Sequence, residues 1–126
     1  LVTPNISEAE TISGIKIKTV PPFSKGRSGG INKEDMEKAA RMILSFGAKR
    51  VLIKGGHLEG EPIDTLFDGK KIWFFKGQRL KGKKEKFHGT GCLLSSAIAA
   101  NLAKGASIRL AVKKAKDYVG KTISAR

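Results

Sequence analysis

Cysteine and acidic residues are scarce in this chain of 126 residues. Cys92 is its only cysteine, which excludes an internal disulfide and fits a reducing compartment, so we expect a cytoplasmic protein. One cysteine and two histidines also cannot build a closed structural zinc site within one chain. No apolar run approaches the ~20 residues of a membrane span and no signal-peptide pattern is present, so we expect no membrane partner.

The shortage of acidic residues leaves the chain strongly basic. Eleven Asp and Glu face 25 Lys and Arg, for a net charge of +14. The segment from Lys70 to Lys86 holds seven lysines and one arginine around the aromatic run Trp73–Phe75. Such a mixture can bind nucleic acid, or it can be a solvated surface around a strand whose aromatics are buried. Because arginine reads bases and phosphates better than lysine does, we expect attraction to anionic nucleotides and phosphorylated substrates rather than to nucleic acid.

Helix caps, periodic apolar residues and glycine turns predict alternating helices and strands. Ser7 and Glu10 have the spacing of a capping box, and the helix that they begin would end at Gly14. Asn32 is a good cap for a second helix, which Gly47 would close. There follow a buried strand over 50–54, a hairpin over 62–75 with an Asp-Gly turn, a helix over 92–104 and a last helix capped by Ser107. This order predicts α/β layers around a mixed sheet.

Three further segments carry patterns that predict their environment. Leu1–Thr3 has the composition of the end of a buried strand, so the chain is expected to start inside a fold. Residues 19–31 contain two prolines and three glycines, and we interpret them as a flexible or inserted loop. One face of the last helix is apolar and is expected to be buried, with Ile108, Ala111, Val112, Ala115, Tyr118 and Val119.

The segment Gly89-Thr90-Gly91-Cys92 is the most informative one because it leads straight into an apolar helix that we expect to begin at the cysteine. The first N–H groups of a helix have no partner within it, and glycines let an anion approach them closely. The thiol of Cys92 would lie beside whatever group carries the anion. Phosphoryl transfer needs such phosphate donors together with a polar side chain at the attacking hydroxyl. A common glycine turn with a buried cysteine is the alternative.

Two more polar segments follow predicted strands. Asn5 and Glu8, at the start of the first helix, could hold phosphate-bound Mg²⁺ through water, and simple helix capping is the alternative. Lys54 could neutralise nucleotide phosphate while Gly55 and Gly56 allow close approach, and a plain turn is the alternative. Ligands of open α/β sheets bind at the carboxyl ends of strands, so we expect both segments to share one site with the cysteine turn.

Three motifs resemble those of a known kinase family. Thr3–Glu10 (TPNISEAE) resembles its TPN-x-x-E-A segment, and Val51–Leu58 (VLIKGGHL) resembles its V-L-x-K-G-G-H-L segment. His88–Ala100 (HGTGCLLSSAIAA) resembles its H-G-T-G-C-x-L-S-S-A-I-A-A segment. In order and spacing the chain is similar to the C-terminal half of hydroxymethylpyrimidine phosphate kinase, a family of the ribokinase-like superfamily. The cysteine in GTGC separates this branch from sugar kinases, which typically carry aspartate there.

The resemblance implies a ribokinase-like three-layer α/β/α fold with a mixed sheet and helices on both faces. It implies ATP-dependent phosphorylation of hydroxymethylpyrimidine and of its monophosphate in thiamine biosynthesis, with residues 1–126 as the ATP-binding and phosphoryl-transfer part. Cys92 would be the base or orienter at the hydroxyl, in a catalytic turn completed by Gly89, Thr90 and Gly91. Asn5 would serve the Mg²⁺–phosphate group with Glu8 as the metal-binding residue, and ATP phosphate would meet Lys54, Gly55 and Gly56.

The family's N-terminal half, with most of its pyrimidine contacts, has no counterpart within these 126 residues. The resemblance therefore leaves open a pyridoxal-type kinase of the same superfamily. It also leaves open a non-catalytic nucleotide-binding module that lacks the substrate half. The expected partners are a nucleotide, a small pyrimidine substrate, and either a complementary N-terminal half or a second copy of the chain.

Overall fold

Helices and strands alternate along the chain in the computed structural model, which describes residues 1–20, 30–55, 63–76 and 90–125. The residues divide into two units, Leu1–Arg79 and Leu80–Arg126, and each is described by itself. The first unit contains α1 (Ile6–Ser13), β1 (Thr19–Val20), β2 (Gly30–Ile31), α2 (Lys33–Ser45), β3 (Val51–Ile53), β4 (Ile63–Phe67) and β5 (Ile72–Lys76). The second contains α3 (Thr90–Ala103) and α4 (Ile108–Ser124). The α/β alternation predicted from sequence is thereby confirmed.

A mixed sheet forms the centre of the first unit. The strands β3, β4 and β5 are antiparallel neighbours in that order. The extended segment Leu1–Asn5 lies along the other side of β3 in parallel orientation, with bridges from Val2 to Val51 and from Asn5 to Lys54. The β4–β5 hairpin turns at Gly69, whose φ of 95° favours glycine, so the predicted Asp-Gly turn is confirmed.

The apolar core of the first unit lies between the sheet and the helices α1 and α2. Its members are Ile6, Ala9, Ile17, Met36, Ala39, Ala40, Ile43, Val51, Ile53 and Phe67. Asn32 caps α2 through its side-chain oxygen, which accepts the N–H of Asp35 at 3.2 Å, as the sequence predicts. The guanidinium of Arg41, on α2, lies 4.9 Å from the centre of the Phe67 ring, so α2 covers the face of the sheet to which that ring belongs.

The first helix begins two residues earlier than the capping-box prediction. Asn5 is the cap: its side-chain oxygen accepts the Glu8 N–H at 2.8 Å, and the Glu8 carboxylate accepts the Asn5 N–H at 2.9 Å. Ser7 therefore lies inside the helix, and Glu10 instead accepts the N–H of Ile17 at 2.9 Å. The prediction was wrong because the extended segment that pairs with β3 ends at Asn5, where the cap must stand.

The start of the chain is less buried than predicted. Leu1 and Val2 are 44% and 41% exposed, although Val2 pairs with β3. The backbone of Val2 bonds to Arg50 and Leu52, whereas the side chains of Leu1 and Val2 remain open to solvent.

The predicted loop over 19–31 has paired stems. Thr19 pairs with Ile31 and Val20 with Gly30 in a two-stranded antiparallel sheet, and the Lys18 N–H donates to the Asp35 carboxylate at 3.0 Å. The residues between these strands lie outside the described part of the chain. Whether the segment is an insertion stays a prediction.

In the second unit α3 packs against α4, and the Asn101 side chain on α3 donates to the Ala111 carbonyl at 3.1 Å. Ser107 caps α4 as predicted, by accepting the Leu110 N–H. The buried stripe of α4 comprises Ala111, Val112, Ala115, Val119 and Ile123. Tyr118 lies at the margin of this stripe and is 55% exposed, so its predicted burial was wrong. None of the described helices is long and apolar enough to cross a bilayer.

Candidate functional site

Four of the predicted site residues meet at one end of the first unit's sheet. Asn5 and Lys54 are bridge partners, and the Lys54 N–H donates to the Pro4 carbonyl at 2.9 Å. Glu8 joins them through its hydrogen bond to the Asn5 N–H, and Gly55 directly follows the lysine. The parallel pairing of segment 1–5 with β3 thus places the carboxyl ends of both side by side, as the sequence predicts for this edge.

Asn5 and Glu8 have a structural role at this edge, because together they cap α1. One oxygen of each side chain accepts a backbone N–H, which was the alternative considered from sequence. A carboxylate offers about four lone-pair positions, so Glu8, which is exposed, keeps capacity for a water-bound cation. The chemistry of the pair fits a hydrated Mg²⁺, which binds through one or two oxygen ligands and keeps several waters. In the described part of the chain no group of three or more His, Cys, Asp or Glu could hold a metal directly.

The segment Lys54–Gly55 is held by a carboxylate that the sequence analysis does not predict. The Gly55 N–H donates to the Asp64 carboxylate at 2.9 Å in a buried environment, and Asp64 is only 6% exposed. A signal for Asp64 exists in the sequence, since aspartate is depleted in strands and here stands between Ile63 and Thr65 of β4. Its partner nine residues away could not be deduced from local pattern.

The cysteine turn opens α3 in the second unit. The helix begins at Thr90, two residues before the predicted start, so Thr90, Gly91 and Cys92 are its first three residues. Their N–H groups face out of the helix start without intrahelical acceptors, which is the donor set that an anion needs. Cys92 is exposed, and Ser95, one turn further on, donates its hydroxyl to the Gly91 carbonyl at 3.1 Å.

The structure thus brings together Asn5, Glu8, Lys54 and Gly55 in one unit, and Thr90, Gly91 and Cys92 in the other. That these two groups share one site stays a prediction. Gly56 and Gly89, also predicted for the site, lie outside the described residues.

The architecture is that of a known class of kinases. A phosphomethylpyrimidine kinase from Clostridium difficile 630 superposes with a TM-score of 0.71 at 38% identity, over 97% of this chain and 42% of that one. A pyridoxal kinase from Staphylococcus aureus, solved with AMP-PCP, superposes with a TM-score of 0.77 at 33% identity, over 94% of this chain and 40% of that one. These similarities confirm the predicted ribokinase-like α/β fold class.

Sequence comparison narrows the class. The profile of the phosphomethylpyrimidine kinase family matches residues 1–126, and the chain belongs to that family. A hydroxymethylpyrimidine/phosphomethylpyrimidine kinase from Aquifex aeolicus is 43% identical over 124 residues. These residues are 98% of this chain and 43% of that protein, so the chain spans about two fifths of the relative's length.

Proposed function

We propose that this chain supplies the nucleotide-binding and phosphoryl-transfer part of an ATP-dependent hydroxymethylpyrimidine (phosphate) kinase of thiamine biosynthesis. The observation that carries the proposal is the start of α3 at Thr90, which puts three N–H groups that have no acceptor within the helix and the exposed Cys92 thiol in one helical turn. That turn belongs to a segment matched by the family profile. A cytoplasmic location is part of the proposal.

Each residue has a distinct task in this reaction. The N–H groups of Thr90, Gly91 and Cys92 stabilise negative charge on the transferring phosphoryl group, and Gly89, which precedes them in the sequence, belongs to the same proposed catalytic segment. Cys92, as the thiolate, orients the attacking hydroxyl and accepts its proton, while the hydroxyl oxygen takes the phosphoryl group and ADP leaves. Mg²⁺, when bound, neutralises phosphate charge.

At the strand ends, the exposed Glu8 and the neighbouring Asn5 hold the hydrated cation, and the ammonium of Lys54 draws the nucleotide phosphates. Gly55 contributes by its lack of a side chain, because its N–H is already bonded to Asp64. Gly56, the next residue in the sequence, is also part of the proposed nucleotide site. The pyrimidine contacts and the rest of the substrate pocket come from a complementary N-terminal half or from a second copy of the chain.

A pyridoxal-type kinase is the second candidate. The observation that favours it is the similarity to the pyridoxal kinase solved with AMP-PCP, which has the higher TM-score of the two structures. Both candidates use the same nucleotide site, so the choice between them rests on which alcohol the completed enzyme phosphorylates. A non-catalytic module would bind nucleotide and phosphorylate neither.

A nucleotide titration tests the proposed site. ATP with Mg²⁺, added to the isotope-labelled chain, is expected to shift the backbone amide resonances of Thr90–Cys92, which would meet the transferring phosphoryl group, and of Lys54. Removing the charge in Lys54→Met should weaken binding about ten-fold, because a hydrogen bond to a charged group contributes about 1.5–3 kcal/mol.

Lys49→Met is the matched control, since Lys49 is an exposed lysine before the opposite end of β3. It should leave the affinity for ATP unchanged. Shifts confined to other parts of the chain, or equal loss of affinity in both variants, would contradict the assignment.

A further inference from the structure

Asp64 is the one acidic residue of β4, a strand whose side chains are buried. All five residues of β4 are buried, and the other four are Ile63, Thr65, Leu66 and Phe67. A carboxylate removed from water is costly unless hydrogen bonds replace the lost hydration. Its position is therefore explained only by what it binds, and one partner is the Gly55 N–H at 2.9 Å. Asp64 has further interactions besides this one.

The hydrogen bond from Gly55 to Asp64 takes the place of a backbone hydrogen bond between the two strands β3 and β4. The pairing of β3 with β4 ends at Ile53 and Thr65, so Lys54 and Gly55, which follow β3, make no backbone pairs with β4. Lys54 turns its N–H to the Pro4 carbonyl on the other side. Without a pair in β4, the buried Gly55 N–H needs another acceptor, and the Asp64 carboxylate is that acceptor. The direction of the chain after Lys54 is thus fixed from both sides.

We propose that Asp64 is a positioning residue, which holds the segment Lys54–Gly55 in the conformation that presents the lysine to nucleotide phosphate. The inference rests on the proposed function. It also restricts the geometry of binding: the Gly55 N–H points at a carboxylate and is not a phosphate donor. The attraction for phosphate at this segment therefore comes from the Lys54 ammonium, which Asp64 positions without touching the nucleotide.

Two substitutions of Asp64 distinguish the effect of its hydrogen-bond acceptor from the effect of its negative charge. Asp64→Ala removes the acceptor, so hydrogen exchange of the Gly55 amide should become at least about ten-fold faster and the Kd for ADP with Mg²⁺ should rise about ten-fold. Asp64→Asn keeps a side-chain oxygen at the same place, and should restore slow exchange and near-native affinity. Both quantities are measured on the full chain, with circular dichroism to confirm folding.

Asp68→Ala is the matched control, because Asp68 also accepts backbone N–H groups, those of Lys70 and Lys71, in the hairpin turn. It should leave both the Gly55 exchange rate and ADP affinity unchanged. Equal ADP affinity in the unaltered chain and Asp64→Ala, or loss in Asp64→Asn as large as in Asp64→Ala, would overturn the inference.

The exchange measurement also decides the case if Asp64→Ala does not fold, since fast exchange of the Gly55 amide in the unaltered chain would overturn the inference alone. A chain that binds no ADP at all contradicts the proposed function instead. The two failures are therefore distinguishable.

Discussion

At the scale of the residue, Cys92 has a position that a merely structural cysteine would not need. It is exposed in the first turn of α3, whereas free cysteines are among the most buried residue types. Burial was the structural alternative considered from sequence, and it is wrong for this residue. In the proposed reaction this exposed thiol would meet the attacking hydroxyl, and the backbone N–H groups rather than the sulfur would hold the phosphoryl group.

We expect Cys92→Ala to lower turnover about 10²–10⁴-fold in an enzyme that also contains the proposed complementary half, because removal of a general base has effects of that size. Nucleotide affinity should change little, since the backbone donors remain. Turnover is followed as ADP release, and affinity by ADP titration. Ser96→Ala, at an exposed position one turn further along α3, is the control. Native turnover in Cys92→Ala would show that the thiol has no role in the reaction.

The residues of the site differ in how far sequence could predict them. Asn5, Glu8 and Lys54 belong to contiguous motifs that follow a predicted strand, so their meeting at one sheet edge follows from strand direction. Asp64 could not be predicted as a site residue, because its role depends on a contact with Gly55 across the sheet. The alternation of side chains along a strand predicts which face of the sheet a residue lies on. It does not predict which residue of another segment that side chain will bind.

At the scale of the element, a helix cap or turn could be predicted where the sequence offers a single candidate residue for it. Asn32, Ser107 and the Asp-Gly turn have no competing neighbours, and each stands where the sequence predicts. The cap of α1 was mispredicted because Asn5–Glu8 and Ser7–Glu10 both have capping-box spacing. Only pairing with β3 selects the first of these, so the choice is made by tertiary structure.

The β4–β5 hairpin carries a charge-dependent contribution to stability. The N–H groups of Lys71 and Lys70 donate to the Asp68 carboxylate at 2.7 and 2.8 Å, and hold the pKa of Asp68 below its ordinary value of 3.8. A group whose pKa is lowered by folding stabilises the folded state above the ordinary pKa. This contribution is lost as the pH falls from 3.8 through the lowered value.

Asp68→Asn should therefore be less stable than the unaltered chain at neutral pH, by a small amount because the turn is exposed to solvent. The difference should shrink as the pH falls below 3.8. Urea unfolding followed by Trp73, the only tryptophan and a residue of the same hairpin, measures both. Asp117→Asn, on α4, removes an equal charge elsewhere and is the control. A difference independent of pH would contradict the role of the carboxylate charge.

At the scale of the whole molecule, segment 1–5 presents apolar side chains to solvent. Leu1 and Val2 are exposed, and the segment lies beside β3 at the edge of the described strands. Such an edge favours pairing with another chain. The net charge of +14 opposes association of two identical copies, and salt screens that repulsion. A complementary half that carries acidic residues would bind without this penalty.

We expect the purified chain to self-associate through this edge when no complementary half is present, and to do so more strongly as salt is raised. Val2→Lys should reduce association, because it adds charge to the exposed edge. Ile12→Lys is the control, since Ile12 is equally exposed but lies on α1. Sedimentation over a range of concentrations measures the effect. A monomer at every concentration and salt level would contradict the prediction.

Pro4 has a consequence for how segment 1–5 is held against β3. In a parallel ladder, the residue at this position would give its N–H to the Leu52 carbonyl as well as accept the Lys54 N–H, and proline can only accept. At this position segment 1–5 is therefore joined to β3 through the Pro4 carbonyl alone, which accepts the Lys54 N–H at 2.9 Å. Loss of that one bond would free the backbone of Lys54 from the residue that precedes the Asn5 cap, so the alignment of the cap with Lys54 depends on a carbonyl and not on a side chain.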